Sequence, residues 1–244
     1  MKKLLPLLCI LAGFYSAASA ASITGLNLLS TSEFRLLSED FGAALSDKPL
    51  APAEPLKLFG FDISAMASST DISKSSAALN TASLGTIQTS TMIVPKVYAA
   101  IGLPLGIDVA AFVSSVPTSN ITLSGAELKV ALLKGGTVSP SIAIRGAMTR
   151  MSGIDQLDFN TKSLDISISK GILMFTPYAG VGQVWVNSNS NIVSLVDGAV
   201  LSESFTQSKV FVGANMNILL LNFALEADKT GGIATYSLKA GLRF

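Results

Sequence analysis

From Leu56 onward the chain alternates apolar and polar residues in stretches of about 10 to 13, bounded by Gly, Pro, Asn and Ser. Successive side chains of a strand point to opposite faces, so each stretch predicts a ribbon with one wet and one greasy side. Ser139, Ser141, Ala143, Arg145, Ala147 and Thr149 share one parity, and Val138, Ile142, Ile144, Gly146 and Met148 the other. Ser163, Asp165, Ser167 and Ser169 oppose Leu164, Ile166 and Ile168 in the same way. So do Gln207, Lys209, Asn215 and Asn217 against Val210, Val212, Ala214 and Met216, and Asn222, Glu226 and Asp228 against Leu221, Phe223 and Leu225.

About ten such segments follow one another, near 56–67, 92–102, 105–116, 121–134, 138–151, 159–171, 174–188, 204–217, 218–229 and 232–244. Strands of soluble folds run to about five or six residues, whereas a strand tilted across a bilayer needs about 9 to 11. The expected fold is therefore all-β: a transmembrane antiparallel up-and-down β-barrel of about ten strands, an even number as single-chain bacterial barrels have. The connections agree with a meander. The two long polar ones, 68–91 and 189–203, are the first and the seventh, so both emerge on one side. The even ones, Leu103-Pro104, Gly135-Gly136-Thr137, Ile172-Leu173 and Asn217-Ile218, are short, which is the pattern of tight periplasmic turns opposite longer outer loops. Alternation alone leaves open whether the greasy side faces a soluble core or lipid. A soluble core would bury Val212, Ile144 and Leu238; strand length, one-sided loops and the carboxy-terminal stretch favour lipid.

Ahead of the first strand, Ser30 and Glu33 have capping-box spacing, and Phe34, Leu37, Phe41 and Leu45 recur at helical intervals. They predict a short amphipathic helix, followed by a linker marked by Pro49, Pro52 and Pro55. At the extreme N-terminus Lys2 and Lys3 precede an apolar stretch from Leu4 to Phe14, and Ala18-Ser19-Ala20 supplies small residues for cleavage. The expected organisation is an export signal over 1–20, an N-terminal segment over 21–54 and a barrel over 55–244. A retained anchor is the alternative for the first segment, although its apolar stretch is short for a span.

Composition sharpens this picture. The chain is 49% hydrophobic but only 14% charged, with a mean hydropathy of +0.54, oily for a soluble domain. Cleavage removes Cys9, the only cysteine, and Lys2 and Lys3, so 15 of the 17 basic residues remain against 16 acidic ones. That balance gives no electrostatic reason to expect nucleic acid as a partner. The chain has no histidine, the usual general base near neutrality, so the expectation is that the protein is not an enzyme; a Ser–Lys pair is the remote exception. Without His or mature Cys only hard oxygen ligands remain and no DxDxDG-type loop occurs, so neither a metal nor a cofactor is expected.

Parity assigns Asp108, Glu127, Lys129, Arg145, Asp165, Lys209, Glu226, Asp228, Lys239 and Arg243 to the polar faces, hence to the lumen. Facing lipid near mid-depth, a Lys or Arg would cost about 2–4 kcal/mol. Eight-stranded barrels are filled by side chains and open channels appear at about 16 strands, so ten strands enclose either an ion-pair-crosslinked interior or a narrow, gated pathway.

The last nine residues, YSLKAGLRF, place Tyr236, Leu238, Ala240, Leu242 and Phe244 at alternate positions. This stretch resembles the carboxy-terminal assembly signal of bacterial outer-membrane β-barrels. PLKLFGFDIS, GAELKVALLKGG and ISKGILMFTPYAGVG resemble a family of proteobacterial outer-membrane proteins with no settled activity to carry over. The resemblance implies outer-membrane lipid and the barrel-assembly machinery as partners and the bacterial outer membrane as location. The N-terminal segment resembles, in architecture only, the plug of long-chain fatty-acid transporters, which have more strands and motifs not found here. A helix packed on the periplasmic rim has equal standing. The expected function is a narrow channel or transporter for a small or hydrophobic solute of unknown identity. A non-transporting anchor or surface-interaction barrel is the alternative.

Overall fold

The computed structural model describes residues 23–117, 119–136 and 138–244. The export signal and Cys9 lie outside the described residues. Ten antiparallel strands close into one barrel: β1 (Phe61–Asp71), β2 (Thr91–Leu103), β3 (Ile107–Ser115), β4 (Thr122–Lys134), β5 (Ser141–Ser152), β6 (Leu157–Ser169), β7 (Phe175–Val193), β8 (Val200–Ile218), β9 (Leu221–Thr230) and β10 (Ile233–Arg243). Each strand pairs with its sequence neighbours, and β10 closes on β1 with Leu238 opposite Ala67 and Arg243 opposite Asp62. Closure leaves no sheet edge, the condition for a sheet to stand in hydrocarbon.

The greasy side faces outward. Val212 is 60% exposed, Leu238 54% and Ile144 37%, which a soluble core would have buried. The opposite parity is buried: Ser141, Ala143 and Arg145 on β5 and Ser163, Asp165 and Ser167 on β6 point into the lumen. The apolar surface continues to the tips of three tight turns, where Leu105, Leu173 and Leu219 adopt positive φ and stand almost fully exposed.

Several boundaries differ from the pattern. The first strand begins at Phe61 rather than near 56, because residues 56–60 still belong to a connection. Phe59 N–H donates to Gly102 O (2.8 Å) there, and a Cβ on Gly102 would stand 2.2 Å from Lys57 O. The expected loop 68–91 shrinks to 72–90 and folds a short helix, Ser76–Ala82. The expected loop 189–203 is largely strand: β7 and β8, of 19 residues each, project as a long hairpin with a turn at 194–199. Polar Ser and Asn at both parities hide its alternation, because outside a membrane neither face must be greasy.

The predicted helix forms as α1 (Thr31–Leu45). Ser30 Oγ accepts from Glu33 N–H and the Glu33 carboxylate accepts from Ser30 N–H, a complete capping box that satisfies two orphan donors. The short helix Ser76–Ala82 is α2. Phe34, Leu37, Phe41 and Leu45 on α1 are all buried. Their counterface is apolar wall: Met92, Val94, Leu123, Met151, Leu157, Phe159, Val184, Val186 and Leu201. Phe41 meets Phe159 edge-on, with ring centroids 6.0 Å apart. The expectation of a wholly hydrophilic inner face therefore fails in the half nearer the long loops. A helix with an apolar stripe needs an apolar partner, and the wall supplies it.

Candidate functional site

The lumen is the candidate site, and the N-terminal segment fills it. Residues 23–31 sit at the rim of the long loops: Gly25 N–H donates to Ala82 O (2.8 Å), Leu195 N–H to Asn27 O (2.8 Å) and Ser194 Oγ–H to Leu29 O (2.6 Å). Asp197, in the β7–β8 turn, accepts from the Thr31 amide (2.5 Å) and hydroxyl (2.8 Å). That carboxylate meets the positive end of α1, and these hydrogen bonds hold its pKa below the usual carboxylate range. From there α1 descends inside the sheet against β1, β2 and β7–β10. Gly42 lets it approach the wall, since a Cβ there would stand 2.6 Å from Gln207 Oε1 and 2.7 Å from Val186 Cγ2. The helix thus lies within the barrel rather than on its rim.

Below the helix, residues 46–56 run without regular structure to the opposite rim, and Ser46, Asp47, Lys48, Leu50, Ala51, Ala53 and Leu56 are buried. An extended strand in a dry tube would leave its peptide groups unpaired, at a cost of about 1–3 kcal/mol each. Charged wall groups replace the missing sheet partners. Glu226 accepts from Leu50 N–H (3.0 Å) and Asp108 from Leu56 N–H (3.1 Å). Lys209 donates to Asp47 O (3.0 Å), Arg145 to Ala51 O (3.3 Å), and Lys129 to Pro52 O (3.2 Å) and Glu54 O (3.1 Å). Two segment charges also pair with the wall: Asp47 with Lys96 at 2.8 Å and Lys48 with Asp228 at 3.0 Å.

The same wall groups pair among themselves. Lys129 lies 2.9 Å from Asp108, Arg145 3.1 Å from Glu127, Lys209 3.0 Å from Asp165 and Lys239 2.5 Å from Asp62. Of the ten charges that parity assigns to the lumen, nine are buried there. Arg243 alone is half-buried at the turn rim, reaching Glu54 O at 3.4 Å. Asp62, Lys96, Asp47, Lys48, Tyr98 and Tyr178 belong to the same network. Tyr178 Oη–H donates to Glu226 (3.0 Å), and Lys96 lies 4.6 Å above the Phe112 ring. The parity of Asp62 with Ser64, Ser68 and Thr70 would have found it. Asp47 and Lys48 sit in a linker with no period and carry no such signal.

Of the terminal alternate residues, Tyr236, Leu238 and Ala240 face outward on β10 and Leu242 is half-buried. Phe244 stacks beside Phe61 at 6.0 Å, and the two residues exchange backbone hydrogen bonds at the seam. The arrangement is a bilayer-type barrel, apolar without, with an inner wall that is apolar around α1 and charged around residues 46–56, and with its bore occupied along its length.

No protein-family model matches the sequence, and no curated protein matches it. Among solved structures the chain is similar to bacterial outer-membrane β-barrels. One is the KdgM porin, at 9% identity over 75% of this chain and 99% of that one, with a TM-score of 0.39. A second is Ail, the attachment invasion locus protein of Yersinia pestis in complex with the heparin analogue sucrose octasulfate, at 15% identity over 77% and 100%, TM-score 0.34. A third is Neisserial surface protein A, at 12% identity over 75% and 95%, TM-score 0.31.

Proposed function

We propose that the protein is an outer-membrane barrel sealed by its own N-terminal segment, a non-conducting anchor that presents its loop rim and β7–β8 hairpin at the cell surface. The observation that carries this reading is the grip on residues 46–56. Wall charges from at least six strands hold the peptide groups and side chains of one extended segment across the bore. Displacing it would break the Asp47–Lys96 and Lys48–Asp228 pairs and the hydrogen bonds to Leu50, Ala51, Pro52 and Leu56 together. Planar-bilayer recording of the refolded chain tests the proposal. Silence from the full chain together with steady conductance from a chain lacking residues 23–54 supports it; steady conductance from the full chain overturns it.

One observation favours solute handling as a second reading. A cavity of about 320 Å³ at the loop rim is lined by Ile23, Leu79, Met92, Ile93, Val116 and Ile121, and it suits a small apolar molecule. A saturable signal from an environment-sensitive apolar dye, lost in Met92→Asp but retained in Ile144→Val, would favour that reading.

A further inference from the structure

The outer wall carries one feature that sealing the bore does not use. Across β4, β5, β6 and β7 the outward residues fall into rows set by strand register. Val130, Ile144, Ile166 and Val181 form one row, and Leu128, Gly146, Leu164 and Gln183 the next towards the loop rim. Then come Ala126, Met148, Lys162 and Trp185, and above them Ser124, Arg150, Asn160 and Asn187. Within four rows the wall passes from hydrocarbon-like to cationic, with the sole tryptophan of the chain beside Lys162. Amphipathic aromatic rings favour the membrane–water interface, so these rows mark the upper edge of the belt.

At that edge the wall is concave. A groove of about 600 Å³ runs over Gly125, Ala126, Met148, Arg150, Asn160 and Lys162. Arg150 and Lys162 are exposed, and among the described residues neither forms an ion pair. Asp158 is the one carboxylate on the groove, and it lies two residues further towards the loop rim than Asn160. The positive charge is therefore concentrated on the hydrocarbon side of the groove. Two unpaired cations, one of them a guanidinium, above a greasy slope and beside an interfacial ring match a phosphate-bearing headgroup with its chain pointing down.

We propose that this groove holds one phosphorylated membrane lipid, with its phosphate on Arg150 and Lys162 and its chain lying over Met148 and Leu164. The proposal rests on the bilayer placement of the barrel, and the test separates the two.

The full mature chain is refolded into phosphatidylcholine vesicles, and insertion is read from quenching of Trp185 by brominated phosphatidylcholine. A small, fixed mole fraction of brominated phosphatidic acid is then compared with the same fraction of brominated phosphatidylcholine. The expected result is preferential quenching by phosphatidic acid, reflecting a preference of about 30-fold from attraction at two basic residues. It should be lost in Arg150→Gln/Lys162→Gln, retained in Lys229→Gln on β9, and relieved by unlabelled phosphatidic acid but not by inorganic phosphate. Equal quenching by both lipids in an inserted protein overturns the lipid site and leaves the bilayer placement standing, and an equal loss in Lys229→Gln overturns it as general attraction. Relief by inorganic phosphate overturns it in favour of a free-anion site. Failure to insert overturns both.

Discussion

Lys96 Nζ stands 2.8 Å from Asp47 Oδ1, and both side chains are buried. One belongs to the second strand and the other to the segment inside the barrel, so this contact joins thread to wall directly. Lys96 also donates to Lys48 O at 3.3 Å, giving the ammonium two anchors on consecutive residues.

Lys96→Ala is expected to destabilise the protein by about 3–5 kcal/mol, because the buried Asp47 carboxylate loses its direct ion-pair partner. Lys96→Met combined with Asp47→Leu should recover most of that loss, since an apolar pair of similar volume removes the charge problem altogether. Guanidinium midpoints of the two single variants and the double variant in one detergent check the cycle.

Gly42 carries no side chain where α1 meets Gln207 and Val186. Gly42→Leu should push the helix off the wall and weaken the seal. Bilayer recordings of this variant should show transient openings that the parent chain lacks.

The Ser30 cap can be tested without touching the lumen. Ser30→Ala is expected to cost about 1 kcal/mol and to fray the first turn of α1. Hydrogen exchange should quicken at the amides of Glu33 and Phe34, while the strands keep their protection.

Asp197 makes the loop-rim clasp sensitive to acid. Its folded pKa is depressed by its hydrogen bonds with Thr31, so the stabilisation is complete above the unfolded value of about 3.9 and is lost as pH falls through the lower, folded value. Exchange at the Thr31 amide, taken relative to the intrinsic rate at each pH, should accelerate below about pH 4 in the parent chain. In Asp197→Asn it should already be faster at neutral pH and should lose that acid step.

Depth along the outer face of one strand sets the penalty for a charge. Val212→Arg, within the apolar belt, should cost about 2–4 kcal/mol in refolding equilibria, whereas Ser204→Arg, on the same outward parity but opposite Asn187 above the Trp185 row, should cost about 0–1 kcal/mol. Equal penalties would contradict the position of the apolar belt.

Most of the wall was legible because a membrane imposes the same period on every strand. The parity of Arg145, Asp165 and Lys209 alone placed them indoors, where they are found. The helix was legible from Ser30, Glu33 and four spaced apolar residues for a comparable reason: caps and stripes are local. The course of residues 46–56 was not. Their contacts lie 49 to 180 residues away in sequence for the two ion pairs, and no local rule couples Asp47 to Lys96 or Lys48 to Asp228. The inner apolar wall escaped for the same reason, since Phe159 and Val184 are greasy only in answer to α1. Nor could the extent of the β7–β8 hairpin be read where Ser and Asn fill both faces.

Gly25 is tied at one mouth of the cylinder and Phe61 at the other, and the run from Leu37 to Ala53 between them is enclosed by a continuous hoop of hydrogen-bonded strands. A hoop can be buttoned around a cord far more readily than a helix studded with Phe34 and Phe41 can be pushed down a finished tube. The join between β10 and β1, where Phe244 meets Phe61, is the one place where the first and last strands of the hoop meet, and so the seam at which it can be fastened around the cord.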